Sequence, residues 1–283
     1  MVADLELCFG TIYHADFAQL IDAAAFAGFD AITVTPGMVE ASGLSGPAAR
    51  ALLRDAGVRV TNIDGFGSGL PGIPSGDDLL KYASYGGRDV RPTFTVPEDA
   101  FFRAAELVGS GSINMMHFGG DPLTPFDALV ESTGAICRRA ASHGLKIVFE
   151  FLPFTAIASI GETARLIAAT GEDNLGIMFD TRHLARTGGA VEDVCNHVRL
   201  IGAVQVSDLF WETREDPNRL LPGEGELPLA AMVAPIRAAH PDLPIGIEVF
   251  SDRLDAMSPR EAAVAAVDSL KQLMQTIDQP ARA

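Results

Sequence analysis

The chain has 283 residues, 48% of them hydrophobic and 20% charged, with 37 acidic against 21 basic side chains and a formal net charge of −16 at pH 7. That balance excludes disorder and a coiled coil, and without any block of Lys or Arg it offers no electrostatic footprint for a nucleic-acid backbone. Cys8, Cys137 and Cys195 are far apart and outside any CxxC spacing, so they suggest neither a disulfide framework nor a thiolate zinc site.

In chain order, short runs rich in Val, Ile, Leu and Phe alternate with longer Ala-rich amphipathic segments, the pattern of βα units and a parallel sheet. The expected strands are Leu5–Gly10, Ala31–Thr35, Val58–Ile63, Ile113–Phe118, Lys146–Phe151, Leu175–Phe179, Ile201–Val206 and Pro244–Phe250. The expected helices are Phe17–Ala27, Pro47–Ala56, Glu98–Val108, Phe126–His143, Ile160–Ala169, Leu227–Ala239 and Pro259–Met274. Eight such units with no composition break point to an α/β fold, a single (β/α)8 TIM barrel, as one domain over residues 1–283. A doubly wound sheet is the weaker alternative, since no GxGxxG follows the first strand. Two long stretches interrupt the rhythm, Phe66 to Pro97 and Leu209 to Pro228, and both follow a strand. In a closed barrel they lie on the face where barrel enzymes build their sites. The N-terminus lacks a basic region followed by an apolar one, and Glu150 interrupts the most apolar stretch, so the expectation is a cytoplasmic protein without a membrane partner.

Polar residues sit at the ends of four late strands: Glu150 in IVFEF, Asp180 in GIMFD, Gln205 in AVQVSD and Glu248 in IGIEVF. Three carboxylates near one barrel axis repel each other or take up protons, and a divalent cation coordinating them removes that cost. Taken singly, each could instead cap a helix or pair with a cation. An all-oxygen set of three carboxylates and an amide favours one Mn²⁺ or Mg²⁺.

The segments FEFLPF, FDTRH, VQVSD, RLLPGEGELPL and IEVFSDRL resemble, in order and spacing, the xylose isomerase-like TIM-barrel superfamily of sugar isomerases, epimerases and related lyases. The similarity is continuous from about Gly144 to Asp268. It implies Glu150, Asp180 and Glu248 as metal ligands, with Gln205 where most members have a histidine. It also implies His183, in the Asp-x-x-His spacing, as a substrate-contacting or proton-shuttling residue, and Arg219 as facing the substrate or the metal. In the family's epimerases two glutamates, here Glu150 and Glu248, exchange the substrate's proton. The resemblance further implies a small-molecule substrate and a homo-oligomer.

Such a metal binds a carbonyl and an adjacent hydroxyl of a sugar, keto-polyol or cyclic ketone, and acidifies the C–H between them. Return of the proton gives isomerisation or epimerisation, whereas loss of a β-hydroxyl gives dehydration. Gln205, Asp208 and the Arg-x-x-Pro-Gly-x-Gly loop look like the 3-dehydroshikimate dehydratases and some inosose-type enzymes, so a lyase is the competing reading. An apurinic endonuclease would need histidines where Asp64, Gln205 and Arg219 stand, and a non-catalytic ligand-binding barrel would not need the carboxylates. Around the mouth, His117 and Asp64 are candidate substrate contacts, with a structural role as the alternative for His117. Trp211 beside the seventh strand and Arg253 after the eighth are further candidates, against core packing and surface ion pairing respectively.

Overall fold

A computed structural model describes residues 4–78 and 86–279. Eight parallel strands close into a barrel in sequence order: β1 (Leu5–Leu7), β2 (Ala31–Val34), β3 (Arg59–Phe66), β4 (Ser112–Met116), β5 (Lys146–Glu150), β6 (Leu175–Asp180), β7 (Ile201–Val206) and β8 (Ile245–Ile247). The principal outer helices are α1 (Phe17–Ala27), α3 (Gly46–Ala56), α5 (Glu98–Val108), α6 (Phe126–Ser142), α7 (Ile160–Thr170), α10 (Leu229–Ala239) and α12 (Pro259–Asp278). Shorter helices α2 (Pro36–Ala41), α4 (Pro92–Thr95), α8 (Thr181–Arg186), α9 (Val191–His197) and α11 (Asp252–Asp255) lie in the connections. No helix among the described residues is long and apolar enough to cross a membrane.

Local chemistry explains where the helices begin and stop. Asp16 and Gln19 form a reciprocal capping box on α1, and Gly28 ends that helix in the left-handed region at φ 85°. Ser258 and Glu261 cap α12 in the same way, with Pro259 at its first position. The helices pack their apolar stripes onto strands that are buried almost throughout, as a parallel sheet covered on one face and closed on the other requires.

Most expected boundaries shift by a few residues, and three of the shifts bear on the rim. The first strand ends at Leu7, because residues Phe9–Ile12 turn into a 3-10 helix. The third runs on to Phe66, three residues beyond the expected Ile63. The last stops at Ile247, so Glu248 lies just past the strand. Register still brings the polar strand ends to one rim: Asp180 pairs with Gln205, Glu150 pairs with Met178 one strand over, and Val206 pairs with Ile247 immediately before Glu248.

Deeper in the barrel, Glu6 accepts a hydrogen bond from the Thr61 hydroxyl. Burial pushes its carboxyl up to about 7, against the opposing pull of Thr61 and Arg59. A folded-state value above the ordinary one means that the protonated form is favoured on folding. That stability is complete below the ordinary carboxylate range and is lost as pH rises through about 7. Glu6→Gln should therefore be more stable than wild type at pH 8 by about 3 kcal/mol. Denaturant titrations at pH 5 and pH 8 check this, and an advantage that does not grow with pH contradicts it.

Candidate active site

The Asp-x-x-His spacing has a local cause. Asp180 is the N-cap of α8, and its Oδ1 accepts the backbone N–H of His183 at 2.9 Å. The first helical turn then carries the His183 ring back over the rim, where Nε2 lies 3.3 Å from Glu150 Oε1 and 3.9 Å from Asp180 Oδ2. One ligand atom from each of Glu150, Asp180 and His183 lies within 4.8 Å of the others, and all three residues are buried. The second Asp180 oxygen receives Arg219 Nη1 at 2.7 Å, and the same nitrogen reaches Glu248 Oε2 at 2.9 Å.

Arg219 is held from its backbone. Its N–H donates to Phe250 O at 2.7 Å, and the adjacent Leu220 bridges Asp208 in antiparallel fashion. Asp208 organises the loop that follows: Oδ2 accepts from Gly223 and Gly225, and Oδ1 from Leu209 and Leu227, all at 2.9–3.0 Å. Gly225 is required there, since a Cβ would sit 2.4 Å from Asp208 Oδ1.

The charges at this rim do not balance. Four buried carboxylates, Asp64, Glu150, Asp180 and Glu248, stand at this rim; Arg219 pairs with Asp180 and Glu248, and His183 lies beside Glu150 and Asp180. Burial pushes Asp64 up to about 7, helped by the negative charge of Glu150. Burial also drives Glu248 well above the usual range, with Arg219 opposing and Asp64, Glu150 and Asp180 adding to it. Asp180 goes the other way. Burial would raise it too, but Arg219 and His183 together hold it below the ordinary value. Gln205 Oε1 is a buried acceptor without a hydrogen-bond partner. Surplus buried carboxylates beside an unsatisfied amide oxygen and an imidazole are a donor set that fits a divalent cation.

Above the rim opens a cavity of about 970 Å³ whose wall includes Asp64, Glu150, His183, Arg219, Glu248 and Phe250. Asp180 and Gln205 are buried beneath them. Three candidates from the sequence lie elsewhere. His117 is a strut: Nε2 donates to Pro71 O at 2.8 Å and Nδ1 accepts from Ala156 N–H at 3.4 Å, so both ring nitrogens are used on backbone. Gly120 leaves space for that ring, since a Cβ would fall 2.3 Å from it. Burial lowers the His117 pKa, consistent with a neutral ring. Trp211 is half-exposed on the loop after β7, away from the cavity wall. Arg253 is an exposed partner of Glu224 at 2.7 Å and is likewise absent from the wall.

The structure adds two residues that sequence reasoning missed. Asn114, in β4, donates from Nδ2 to both Asp64 and Glu150. Arg88 emerges from the long loop after β3 and is buried in the cavity wall. It pairs with Asp255 at 2.5 Å and packs over the rings of Tyr13 and Phe250.

The family model for the xylose isomerase-like TIM barrel matches residues 21–273. The chain belongs to the xylose isomerase-like TIM-barrel family. Within that family it is 23% identical over 136 residues to the inosose isomerase of Halalkalibacterium halodurans, covering 46% of this chain and 48% of the relative. It is 29% identical over 152 residues to the 3-dehydroshikimate dehydratase of Pseudomonas aeruginosa, covering 50% of this chain and 24% of that protein. A putative hydroxypyruvate isomerase of Streptomyces coelicolor matches at 26% over 248 residues, 80% of this chain and 82% of the relative. The chain thus spans about half of the first relative and a quarter of the second. Among solved structures the barrel superposes on the IolI protein with a bound zinc atom, with a TM-score of 0.77 at 13% identity over 98% of this chain and 100% of that one. An L-ribulose 3-epimerase superposes with a TM-score of 0.71 at 16% identity, over 100% of both chains. These structural likenesses concern the fold.

Proposed function

We propose that this protein is a divalent-metal-dependent isomerase or epimerase of a small sugar, keto-polyol or cyclic polyol, working by proton transfer at the carbon beside a carbonyl. The observation that carries this is the cluster of buried carboxylates at the barrel mouth, with Arg219 paired to Asp180 and Glu248 and His183 beside Glu150. Glu150, Asp180, Gln205 and Glu248 would hold the cation, with His183 beside them. When bound, a cation of this kind polarises a carbonyl and its neighbouring hydroxyl.

The residues divide the remaining work. Glu150 and Glu248 reach the cavity from β5 and from the end of β8, with β6 and β7 between them around the ring, so one can take the proton and the other return it. General acid and base groups of this type contribute about 10²–10⁴ in rate. His183, on Glu150, orients that carboxylate and can carry its proton. Arg219 faces the oxygen on which negative charge grows. The phenyl ring of Phe250 gives the wall an apolar side against a carbon skeleton. The relatives named for inosose and hydroxypyruvate isomerisation support this reading of a carbonyl substrate with adjacent hydroxyls.

A second reading, a lyase of the 3-dehydroshikimate dehydratase type, is favoured by Arg88. It supplies from the first half of the barrel a guanidinium at the wall that could face a ring carboxylate. Incubation of the Mn²⁺-supplemented protein with ketoses, inososes and dehydroshikimate in deuterated water, read by mass spectrometry, separates the two. Gain of one deuterium at the carbon beside the carbonyl is the expected result, and loss of water from dehydroshikimate would select the lyase. Neither change in any of these substrates, with the metal present, contradicts both.

A further inference from the structure

We infer that Asp64 is a positioning residue: it fixes which way the amides of Asn114 and Gln205 face, and through them it holds Glu150 and Glu248. This rests on the cation-assisted reading above and deepens it.

Asp64 lies in β3 and is buried. Its two oxygens accept from two different amides, Oδ1 from Asn114 Nδ2 at 2.9 Å and Oδ2 from Gln205 Nε2 at 3.0 Å. Each of those nitrogens carries a second hydrogen, and each gives it to a glutamate. Asn114 Nδ2 donates to Glu150 Oε2 at 2.8 Å, and Gln205 Nε2 donates to Glu248 Oε1 at 3.2 Å. Asp64 is therefore the middle of a chain, Glu150, Asn114, Asp64, Gln205, Glu248, whose outer members are the two carboxylates assigned to proton transfer.

The chemistry of the middle residue is specific. Both oxygens of Asp64 accept, one from each amide, so both amides turn their NH₂ groups toward it. An amide at the same place would present its own NH₂ to one of them, and that neighbour would have to turn round. A hydroxyl could not reach both. With both amides so turned, Asn114 Oδ1 and Gln205 Oε1 are left as buried oxygens without hydrogen-bond partners. Gln205 Oε1 is the neutral donor assigned to the cation. A buried acid held by two neutral amides costs more than an uncharged residue would, and the return is a fixed orientation of the groups that ligate and transfer protons.

The test compares wild type with Asp64→Asn, which keeps size and shape. Bound Mn²⁺ is followed by loss of the free-ion electron paramagnetic resonance signal, and stability is followed by denaturant titration without metal. The expected result is Mn²⁺ binding about 10–100-fold weaker with no loss of stability. Asp64→Ala provides a second variant: added formate, a small carboxylate able to enter the cavity, should recover its Mn²⁺ affinity and leave that of wild type unchanged. Equal Mn²⁺ affinity in Asp64→Asn and wild type overturns the inference. So does a loss of affinity that parallels a loss of stability and that formate does not reverse in Asp64→Ala. Failure of the wild type itself to bind Mn²⁺ would remove the cation reading, and this inference with it.

Discussion

Glu248→Gln should slow deuterium exchange into a true substrate by about 10²–10⁴ while leaving the protein at least as stable as wild type. The two halves of this expectation have one physical origin. Glu248 is buried among Asp64, Glu150 and Asp180, and Arg219 only partly offsets that crowding, so its carboxyl lies well above the ordinary range. A carboxylate whose proton affinity has been raised in this way is better matched to abstracting a carbon-bound proton near neutral pH than an ordinary glutamate is. Glutamine has the same shape and can still accept from Arg219, but it cannot take a proton. It also removes one of the repelling charges, so stability above neutral pH should rise or stay level. The effect should fall on kcat more than on KM, because the lost function belongs to the chemical step. Glu150→Gln should slow exchange as well. Exchange at the wild-type rate in either variant would remove that residue from proton transfer.

The second large effect concerns Asp208, which is not part of the cavity wall. Four backbone N–H groups, from Leu209, Gly223, Gly225 and Leu227, converge on its carboxylate. Asp208→Ala leaves them without acceptors. The bonds from Leu209 and Leu227 are fully buried, and at about 1–3 kcal/mol for each unsatisfied donor the loss is about 2–6 kcal/mol. Arg219 lies within the segment that this carboxylate folds, so its grip on Asp180 and Glu248 should loosen as well. Denaturant unfolding measures the first effect. Unchanged stability would mean that the loop is held by other contacts.

The barrel was legible because its strands are short apolar runs separated by amphipathic helices, and α1, α5 and β7 coincide with the segments expected. The short helices were not. With six residues, α8 has no periodicity of its own, and it exists because Asp180 caps it and its residues fit between β6 and the loop after β7. The same logic divides the site. Glu150, Asp180, Gln205 and Glu248 stood out as polar residues at the ends of apolar strands, and the structure gathers them with His183, Arg219 and Asp64. Asn114 sits inside a strand, where an amide gives no signal until its neighbours on β3 and β5 are known. Arg88 lies in a long loop where sequence periodicity says nothing. His117, Trp211 and Arg253 carry the right chemistry, but their positions are set by tertiary contacts: a backbone strut, an outward-turned loop and a surface ion pair.

Proton transfer of this kind needs a divalent cation bound at the barrel mouth. Anomalous diffraction from crystals soaked in Mn²⁺ should show a peak among Glu150, Asp180, Gln205 and Glu248. Mn²⁺ found only on the acidic surface, with the Arg219 guanidinium still bridging Asp180 and Glu248, would contradict it.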